Sequence, residues 1–287
     1  MRERIQRFDA RQNMLRQNYE IFHYSTQNPE PVEVHHHDFY EVYFFLGGDV
    51  SYWVEGQNFR MSAGDVLLID PMVLHRPVIL SDATAYERIV LWIDRAYLEG
   101  LSRAQVRLNG CFQGNGANLL HITAPVQRTD LTALFGRLVR ECYGEELGAS
   151  ICADGVFMQL MVELNRIALQ SGQVPASQRD QSSAVARVLD YINAHYSEEL
   201  SLDALADRFF ISKYHLSHEF SRVVGTGVYR YIMLKRLAAA KLLLAENVPA
   251  GEVCSRCGFR DYTGFFRAFK AEFGVSPGAF QGSRSPF

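Results

Sequence analysis

Between Val32 and about Ile93, short apolar or alternating segments are separated by turn residues. Six segments have the length and composition of β-strands: VEVHHHDFYEVYFFL, SYWVEG, NFRM, DVLLID, HRPVIL and YERIVLWI. Gly47-Gly48 and Ala63-Gly64-Asp65 are typical of the turns between them. Several short strands at regular spacing predict a small β-barrel or sandwich.

The hydrophobic period changes after this region. Asp130–Tyr143 and Ile151–Gln170 each place apolar residues on one face of a helix, and Gly144–Gly148 connects them as a hairpin. The segment SGQVPASQRDQSS at Ser171–Ser183 has no apolar period and predicts a linker. We therefore predict an α+β protein with a β-barrel and helical hairpin in residues 1–170, a linker in 171–183 and an all-α domain in 184–287.

The C-terminal third contains the same helical pattern twice. The copies are SLDALADRFFISKYHLSHEFSRVVG (Ser201–Gly225) and AGEVCSRCGFRDYTGFFRAFKAEFG (Ala250–Gly274), and their second helices are about 49 residues apart. Ser212 and Asp261 are placed to cap those second helices, and Val228–Glu246 predicts one long helix between the copies. A single helix-turn-helix pattern arises readily from helical periodicity, but two correctly spaced copies indicate DNA binding.

The second helix of each copy has an apolar and a polar face. In the first copy, Leu216, Phe220 and Val223 are expected to face the core. The opposite face is polar and partly cationic, as entry into a major groove requires. The side chains expected there are Lys213, Tyr214, Ser217, His218 and Arg222 in the first copy, and Tyr262, Thr263, Arg267 and Lys270 in the second.

These motifs resemble the AraC/XylS family of bacterial transcription regulators over nearly all of residues 181–280. The match includes RLAAAKLLL at Arg236–Leu244 and the C-terminal motif Gly258–Pro277. The resemblance implies a double-stranded DNA operator, with base contacts from Tyr214, Ser217, His218, Tyr262, Thr263 and Arg267 and phosphate contacts from Lys213, Arg222 and Lys270. Two positions depart from the family pattern: His218 stands where Arg is common, and Phe210 stands in the turn where Gly is common.

The same resemblance implies a homodimer, a contact with RNA polymerase, and activation in preference to repression. In this family the helical hairpin forms a dimer contact. Its second helix has Met158, Met161 and Val162 beyond what one core-facing stripe needs. We expect Arg236 to form a structural ion pair, and Cys254 and Cys257 to pack in the core.

Two N-terminal motifs resemble those of cupin barrels: VHHHDFYEVYFFLGG (Val34–Gly48) and MSAGDVLLIDPMVLHRP (Met61–Pro77). His35, His37 and Glu41 occupy alternate positions of the predicted strand, so we expect them to face the barrel interior and His36 to face outward. His75 from the second motif is placed to join them. Three imidazoles and a carboxylate suit a divalent ion of Fe, Mn, Ni or Zn.

We nevertheless expect no metal or other cofactor in the leading interpretation. The second motif is one residue shorter before His75 than the cupin pattern, and AraC-type sensor domains usually bind a small molecule without a metal. The expected effector is a carbohydrate, by resemblance and because polar and aromatic side chains suit its two faces. The side chains expected to bind it are His35, His37, Glu41, Tyr43, Trp53 and His75, with the orientation of Trp92 left open.

The leading hypothesis is thus a ligand-responsive, sequence-specific transcription regulator and not an enzyme. Two alternatives remain open. One is a metal-dependent cupin enzyme fused to a DNA-binding domain, and the other is a metal or pH sensor that regulates transcription without an organic effector.

Charge and cysteine content support the leading hypothesis. Residues 1–178 contain 15 basic and 21 acidic side chains, a balance of −6, whereas residues 179–287 contain 14 basic and 11 acidic, a balance of +3. A basic C-terminal part suits contact with phosphates. Five scattered cysteines argue against a disulfide framework. The chain has neither a long apolar run nor a signal-peptide pattern at its N-terminus, so we expect a cytoplasmic protein without membrane contact.

Overall fold

The computed structural model describes residues 5–6, 13–103, 106–112, 117–171 and 184–283. The chain divides into two compact units: an N-terminal unit of residues 1–32 and 36–177, and a C-terminal unit of residues 178–287 together with residues 33–35. The linker predicted at 171–183 lies outside the described residues except for Ser171, so its boundaries stay a prediction.

The N-terminal unit contains two antiparallel sheets, with strand orders β1-β7-β2-β5-β8 and β4-β3-β6. The strands are β1 (Tyr19–Thr26), β2 (Tyr40–Gly47), β3 (Asp49–Val54), β4 (Gln57–Arg60), β5 (Val66–Ile69), β6 (His75–Ser81), β7 (Tyr86–Ile93) and β8 (Ala117–Leu120). The helices of this unit are α1 (Arg95–Leu101), α2 (Pro125–Cys142) and α3 (Ala149–Ser171), and a 3₁₀ turn spans Gly110–Phe112.

Apart from Glu41, strand β2 is mostly apolar on both faces because both faces are covered. Tyr40, Val42 and Phe44 lie in the core between the five-stranded sheet and α2 and α3, where the Phe44 ring stacks on Phe135 with centroids 4.6 Å apart. The alternate residue Tyr43 lies in a second core, between the two sheets. The interior between the sheets is therefore lined by every second residue of the strands.

Strands β1 and β8 and helix α1 were not predicted from the sequence, and the first predicted strand begins at Tyr40 instead of Val32. The sequence pattern of β1 is interrupted by the polar residues Glu20 and His23, which are paired with other polar groups in the folded protein. The Glu20 carboxylate accepts from the Arg16 amide at 2.7 Å, and His23 Nε2 lies 2.8 Å from Glu87 Oε1 on the neighbouring β7. The predicted fold class, a β-rich N-terminal domain with a helical C-terminal domain, is confirmed.

The regular elements of the C-terminal unit within residues 184–283 are all helices. Its helices are α4 (Ala184–His195), α5 (Leu202–Phe209), α6 (Lys213–Val224), α7 (Val228–Ala245), α8 (Ala250–Arg256), α9 (Tyr262–Phe273) and α10 (Pro277–Ser283). Within the described part of the chain, no helix is both long and apolar enough to cross a membrane.

Helix α7 belongs to the cores of both repeats. Near its start, the Tyr231 ring contacts Phe220 of α6 edge-on at 5.6 Å, and its hydroxyl donates to Asn193 Oδ1 at 2.9 Å. Its second half packs in a cluster with Phe265 and Phe269 of α9. Because one rigid helix serves both cores, it fixes α6 and α9 relative to each other.

Two expectations for this unit have opposite outcomes. Cys254 and Cys257 are buried in the second-repeat core, as predicted. The prediction of an ion pair for Arg236 is wrong: its guanidinium donates to the backbone carbonyls of Tyr196 and Glu198, both at 2.7 Å. Its role is still structural, since it ties α7 to the segment after α4.

Candidate nucleic-acid interface and buried polar cluster

The first helix-turn-helix is α5, a short turn and α6. The Ser212 hydroxyl caps α6 by accepting from the His215 amide at 3.2 Å. The turn between the helices contains Phe210, whose backbone is left-handed at φ +55° and whose ring is 97% exposed. A left-handed aromatic residue is strained, so this turn departs from its Gly-containing family pattern at an energetic cost.

The second helix-turn-helix is α8, a turn and α9. Asp261 caps α9 by accepting from the Gly264 amide at 2.7 Å. Gly258 in the turn has φ +78° and lies so close to the loop before α5 that a Cβ there would stand 2.7 Å from the Ser197 carbonyl carbon. Only glycine fits this approach, which joins the second repeat to the α4–α5 loop.

Burial separates the two faces of each second helix. In α6 the buried residues are Leu216, Phe220 and Val224, and Val223 is only half-buried. The prediction that Val223 faces the core is therefore wrong by one position, because the spacing i, i+4, i+8 follows the core-facing stripe. In α9 the buried residues are Phe265 and Phe269.

The side chains predicted to contact DNA all lie on the solvent-exposed faces: Lys213, Tyr214, Ser217, His218 and Arg222 on α6, and Tyr262, Thr263, Arg267 and Lys270 on α9. On α6, Tyr214, Ser217, His218, Ser221 and Arg222 border an open depression of about 530 Å³. The exposed faces can therefore contact a ligand without rearrangement of the core.

The two exposed faces differ in how their cations are paired. Arg222 Nη2 donates to Glu219 at 2.7 Å, and His218 Nδ1 lies 3.3 Å from the same carboxylate. The hydrogen bond from Arg222 holds the pKa of Glu219 below its usual value. Lys213 pairs with Asp203 of α5. In the part of the chain that the structure describes, Arg267 and Lys270 of α9 have no ion pair.

A second group of functional side chains lies between the sheets of the N-terminal unit. His37, Glu41 and His75 are all buried, and one ligand atom from each lies within 4.8 Å of the others. His37 Nε2 is 2.7 Å and His75 Nε2 is 3.8 Å from Glu41 Oε2. The structure thus brings three of the six predicted effector-binding residues into one cluster.

Backbone pairing explains how residues distant in sequence meet there. The Met72 amide donates to the His37 carbonyl at 2.6 Å, which joins the segment before β2 to the turn before β6. His75 pairs in register with Val54, whose side chain faces the interior. These contacts bring His37 and His75 together, with ring centroids 4.8 Å apart.

Tyrosine hydroxyls and one arginine extend the polar interior. The hydroxyl of Tyr43, a predicted site residue, donates to that of Tyr86. The Tyr52 hydroxyl lies 3.5 Å from Glu41 Oε1. Arg88, 4% exposed, stands over the Tyr86 ring at 4.1 Å and donates to Thr26 at 2.7 Å. Burial raises the pKa of Tyr86 to about 12, so its hydroxyl stays protonated near neutral pH.

The sequence analysis did not single out Tyr52, Tyr86 or Arg88 for this site. A signal was present in YERIVLWI, where strand alternation places Arg88 on the same face as the apolar Tyr86, Val90 and Trp92. The open question about Trp92 is thereby answered, because its ring packs inside against Phe39 at 4.7 Å.

Three expectations about orientation do not hold. Trp53 is buried but lies on the opposite face of β3 from Tyr52, so strand alternation turns it away from the interior. His35 is outside the cluster, with Nδ1 2.9 Å from the Glu33 carbonyl. His36, expected to face outward, is buried.

Comparison with known families assigns both parts of the chain. Residues 18–161 match the AraC-like ligand binding domain, and residues 205–283 match a helix-turn-helix domain. The chain belongs to the AraC family of transcription regulators. It is a DNA-binding regulator with an N-terminal ligand-binding domain, as its motifs predicted.

Curated relatives of this AraC-family protein match it over most of their own length. The HTH-type transcriptional activator RhaS of Escherichia fergusonii is 26% identical over 246 residues, covering 85% of each chain. RhaS of Escherichia coli O9:H4 is 24% identical over 256 residues, 88% of each.

Solved structures resemble parts of the chain. The DNA-binding domain of AdpA in complex with a target DNA is 25% identical and covers 35% of this chain and 92% of its own, with a TM-score of 0.34. ToxT from Vibrio cholerae O395 is 11% identical and covers 94% of this chain and 99% of its own, with a TM-score of 0.37. The family assignment rests on the two matched domains and not on these scores.

Proposed function

We propose that this AraC-family protein is a transcriptional activator whose helices α6 and α9 enter successive major grooves of one operator. The single observation that supports this best is that α7 is shared by both repeat cores while both polar faces stay exposed. The 18 residues of α7 span about 27 Å, comparable with the roughly 34 Å turn of B-DNA. A helix of this length can hold two recognition helices one groove apart.

The exposed side chains divide into two roles under this proposal. Tyr214, Ser217, His218, Tyr262, Thr263 and Arg267 contact base edges, and Lys213, Arg222 and Lys270 contact phosphates. Because Lys213 and Arg222 are paired with carboxylates, they exchange those partners for phosphate on binding. Lys270 has no such cost, so the second repeat supplies more of the nonspecific attraction.

The effector of this regulator binds between the two sheets of the N-terminal domain and is a carbohydrate. Sugar hydroxyls need both donors and acceptors, and Glu41, His37, His75 and Tyr43 supply them inside the barrel. Trp92, and not Trp53, offers the aromatic face. Effector binding shifts the population between conformations of differing DNA affinity.

The protein acts as a cytoplasmic homodimer that contacts RNA polymerase and catalyses no reaction. The relatives are transcriptional activators, which favours regulation over catalysis. Support for a dimer comes from exposed apolar residues of α3, Ile151 at 76% and Leu169 at 87%, with Met158 half-buried between them. Met161, expected at that surface, is instead fully buried in the core. Light scattering that finds only a 32.6 kDa species would contradict the dimer.

A pair of substitutions on α9 tests the DNA-binding roles. After selection of an operator from a random DNA library, Arg267→Ala should weaken operator binding about 10- to 100-fold and leave random DNA unchanged, because a base contact is lost. Lys270→Ala should weaken both equally and reduce the salt dependence by about one counterion. Equal effects of the two variants on both DNAs would refute the assigned roles.

A thermal-shift panel tests the effector class separately. Both tryptophans, Trp53 and Trp92, lie in the N-terminal unit, so tryptophan fluorescence reports unfolding of that unit. A monosaccharide that is bound should raise its midpoint, and Tyr43→Phe should reduce this rise when each variant is compared with its own sugar-free midpoint. If no sugar gives a shift, the carbohydrate proposal fails and the DNA-binding proposal stands.

A further inference from the structure

Helix α9 has an aromatic ring on its exposed face that the base and phosphate contacts proposed above do not use. Phe266 is 36% exposed, whereas Phe265 and Phe269 of the same helix are fully buried. The core of the second repeat includes Phe265, Phe269 and the half-buried Phe273, but not Phe266. We propose that Phe266 contacts the C5-methyl group of a thymine, so that part of the operator is recognised by an apolar contact. This role rests on the proposed entry of α9 into the major groove.

The internal repeat places Phe266 at a position that faces DNA in the proposed complex. The two repeats can be aligned by the residues that cap their second helices, Ser212 for α6 and Asp261 for α9. This alignment matches the buried residues of the two helices, Leu216 and Phe220 with Phe265 and Phe269. It also matches Phe266 with Ser217, which borders the open depression on the exposed face of α6. The two repeats thus have the same core positions, and Phe266 replaces a small polar residue on the exposed face.

The surroundings of Phe266 favour DNA over an apolar protein surface as its partner. Residues three or four positions apart share one face of a helix, so Thr263 and Lys270 lie on either side of Phe266, and all three are exposed. Glu272, the acidic residue of α9, pairs with Arg230 at 2.8 Å. An apolar ring between a hydroxyl and an ammonium group suits a groove edge, because Lys270 is attracted to phosphate while the ring meets the bases.

The chemistry of the major groove determines which base this ring recognises. Each base pair presents hydrogen-bond donors and acceptors there, and thymine adds an apolar methyl group at C5. A phenyl ring forms no hydrogen bond with the polar edges of guanine, adenine or cytosine, and covering them with the ring leaves them unpaired. Contact with the methyl group instead removes apolar surface of both partners from water. Phe266 therefore favours thymine at one fixed position of the operator.

The place of Phe266 along α9 predicts where that thymine lies. Phe266 is in the first half of the helix Tyr262–Phe273, and in helix-turn-helix complexes the N-terminal residues of the second helix contact base edges. Arg267, the proposed base contact, is the next residue. Successive residues rise about 1.5 Å along a helix, compared with about 3.4 Å between base pairs. The thymine should therefore lie within about two base pairs of the base that Arg267 contacts.

Replacement of thymine by deoxyuridine tests this contact, because it removes the methyl group and leaves the base pair intact. An operator is first selected from random DNA with the full-length protein, and Arg267→Ala identifies the base that Arg267 contacts. Each thymine near that base is then replaced in turn, and binding is measured by fluorescence anisotropy of labelled DNA. At one or two positions the replacement should weaken binding by the parent about 3- to 10-fold. Phe266→Ser should weaken operator binding about 10-fold and reduce the effect of deoxyuridine to less than about 2-fold.

Two further variants are controls. Phe266→Leu keeps an apolar side chain on this face and should retain most of the deoxyuridine effect. Leu80→Ser removes an exposed apolar side chain from β6 of the N-terminal unit and should change neither operator binding nor the deoxyuridine effect.

The possible outcomes separate this role of Phe266 from DNA binding itself. If the parent selects an operator that has no thymine near the Arg267 base, or whose thymines there all tolerate deoxyuridine, Phe266 does not recognise a methyl group and the DNA-binding proposal stands. If Phe266→Ser shows the same deoxyuridine effect as the parent, another residue contacts the methyl group and the role of Phe266 is refuted. If the parent selects no operator at all, the proposed function fails together with the role of Phe266.

Discussion

Replacing Gly258 with alanine tests whether the second helix-turn-helix is anchored against the α4–α5 loop. The backbone of Gly258 is left-handed at φ +78°, which costs about 1–2 kcal/mol for any residue with a Cβ. The new methyl group would also stand 2.7 Å from the Ser197 carbonyl carbon and 2.8 Å from its Cα. Because these are backbone atoms, the loop must move, at an additional cost of roughly 1–3 kcal/mol. The expected loss of stability is about 2–4 kcal/mol.

Two other glycines separate these contributions. Gly274 has φ +74° but open space at its Cβ position, so Gly274→Ala should cost only the backbone term, about 1 kcal/mol. Gly251 lies in α8 with open space and an ordinary φ, so Gly251→Ala should stabilise the helix by up to about 1 kcal/mol. The expected order of stability, from highest to lowest, is therefore Gly251→Ala, Gly274→Ala and Gly258→Ala.

Urea unfolding with two probes measures the effect in the intact chain. Tryptophan fluorescence follows the N-terminal unit, and ellipticity at 222 nm follows mainly the helices of the C-terminal unit. Gly258→Ala should lower the ellipticity midpoint by roughly 1–2 M urea and leave the fluorescence midpoint unchanged. If Gly258→Ala costs no more than Gly274→Ala, the close approach to Ser197 does not constrain the turn.

Two further predictions concern charge. Glu219→Gln removes the carboxylate that competes with phosphate for Arg222, so affinity for specific and random DNA should rise a few-fold and its salt dependence should increase. Glu145→Gln makes the same charge change in the N-terminal unit and should alter neither quantity. Unchanged binding by Glu219→Gln would show that the Arg222–Glu219 pair persists on DNA. Burial raises the pKa of Asp70 to about 7 from 3.8. As pH rises, Asp70 therefore ionises in the unfolded chain before it ionises in the folded protein. The free energy of unfolding should fall between about pH 4 and 7, by up to about 1.4 kcal/mol per pH unit. Asp70→Asn should flatten this decline in the fluorescence melting midpoint, and an identical profile for the variant would refute the assignment.

The helical half of the protein was predictable because its determinants are local. Ser212 and Asp261 cap the helices that the sequence assigned to them, and the capping contact spans three residues in each case. The polar faces of α6 and α9 follow from helical periodicity alone. The error at Val223 was one of local spacing, since the buried stripe continues to Val224. The partners of Arg236 could not be predicted because they are backbone carbonyls 38 and 40 residues away along the chain.

For the strand region, the sequence predicted that strands form and the orientation of some side chains, but not the orientation of all of them. Alternation along β2 correctly placed Glu41 and Tyr43 on the interior face, because side-chain direction in a strand is a local property. The same argument failed for His35 and His36, which lie before β2, where the backbone is not a continuous strand. Alternation also could not show which of the adjacent residues Tyr52 and Trp53 faces the interior. The structure places Tyr52 inside and Trp53 on the opposite face of β3.

By itself, the sequence determined the two repeats, their caps and their polar faces, and it indicated which motifs meet in the barrel. Only the tertiary structure decided which histidines reach Glu41, that Arg88 and Tyr86 line the same interior, and that Gly258 abuts Ser197. The physical reason is the range of the interactions involved. Helix caps and periodicity act within one or two turns, whereas strand register and backbone contacts such as Met72 to His37 join residues that are far apart along the chain.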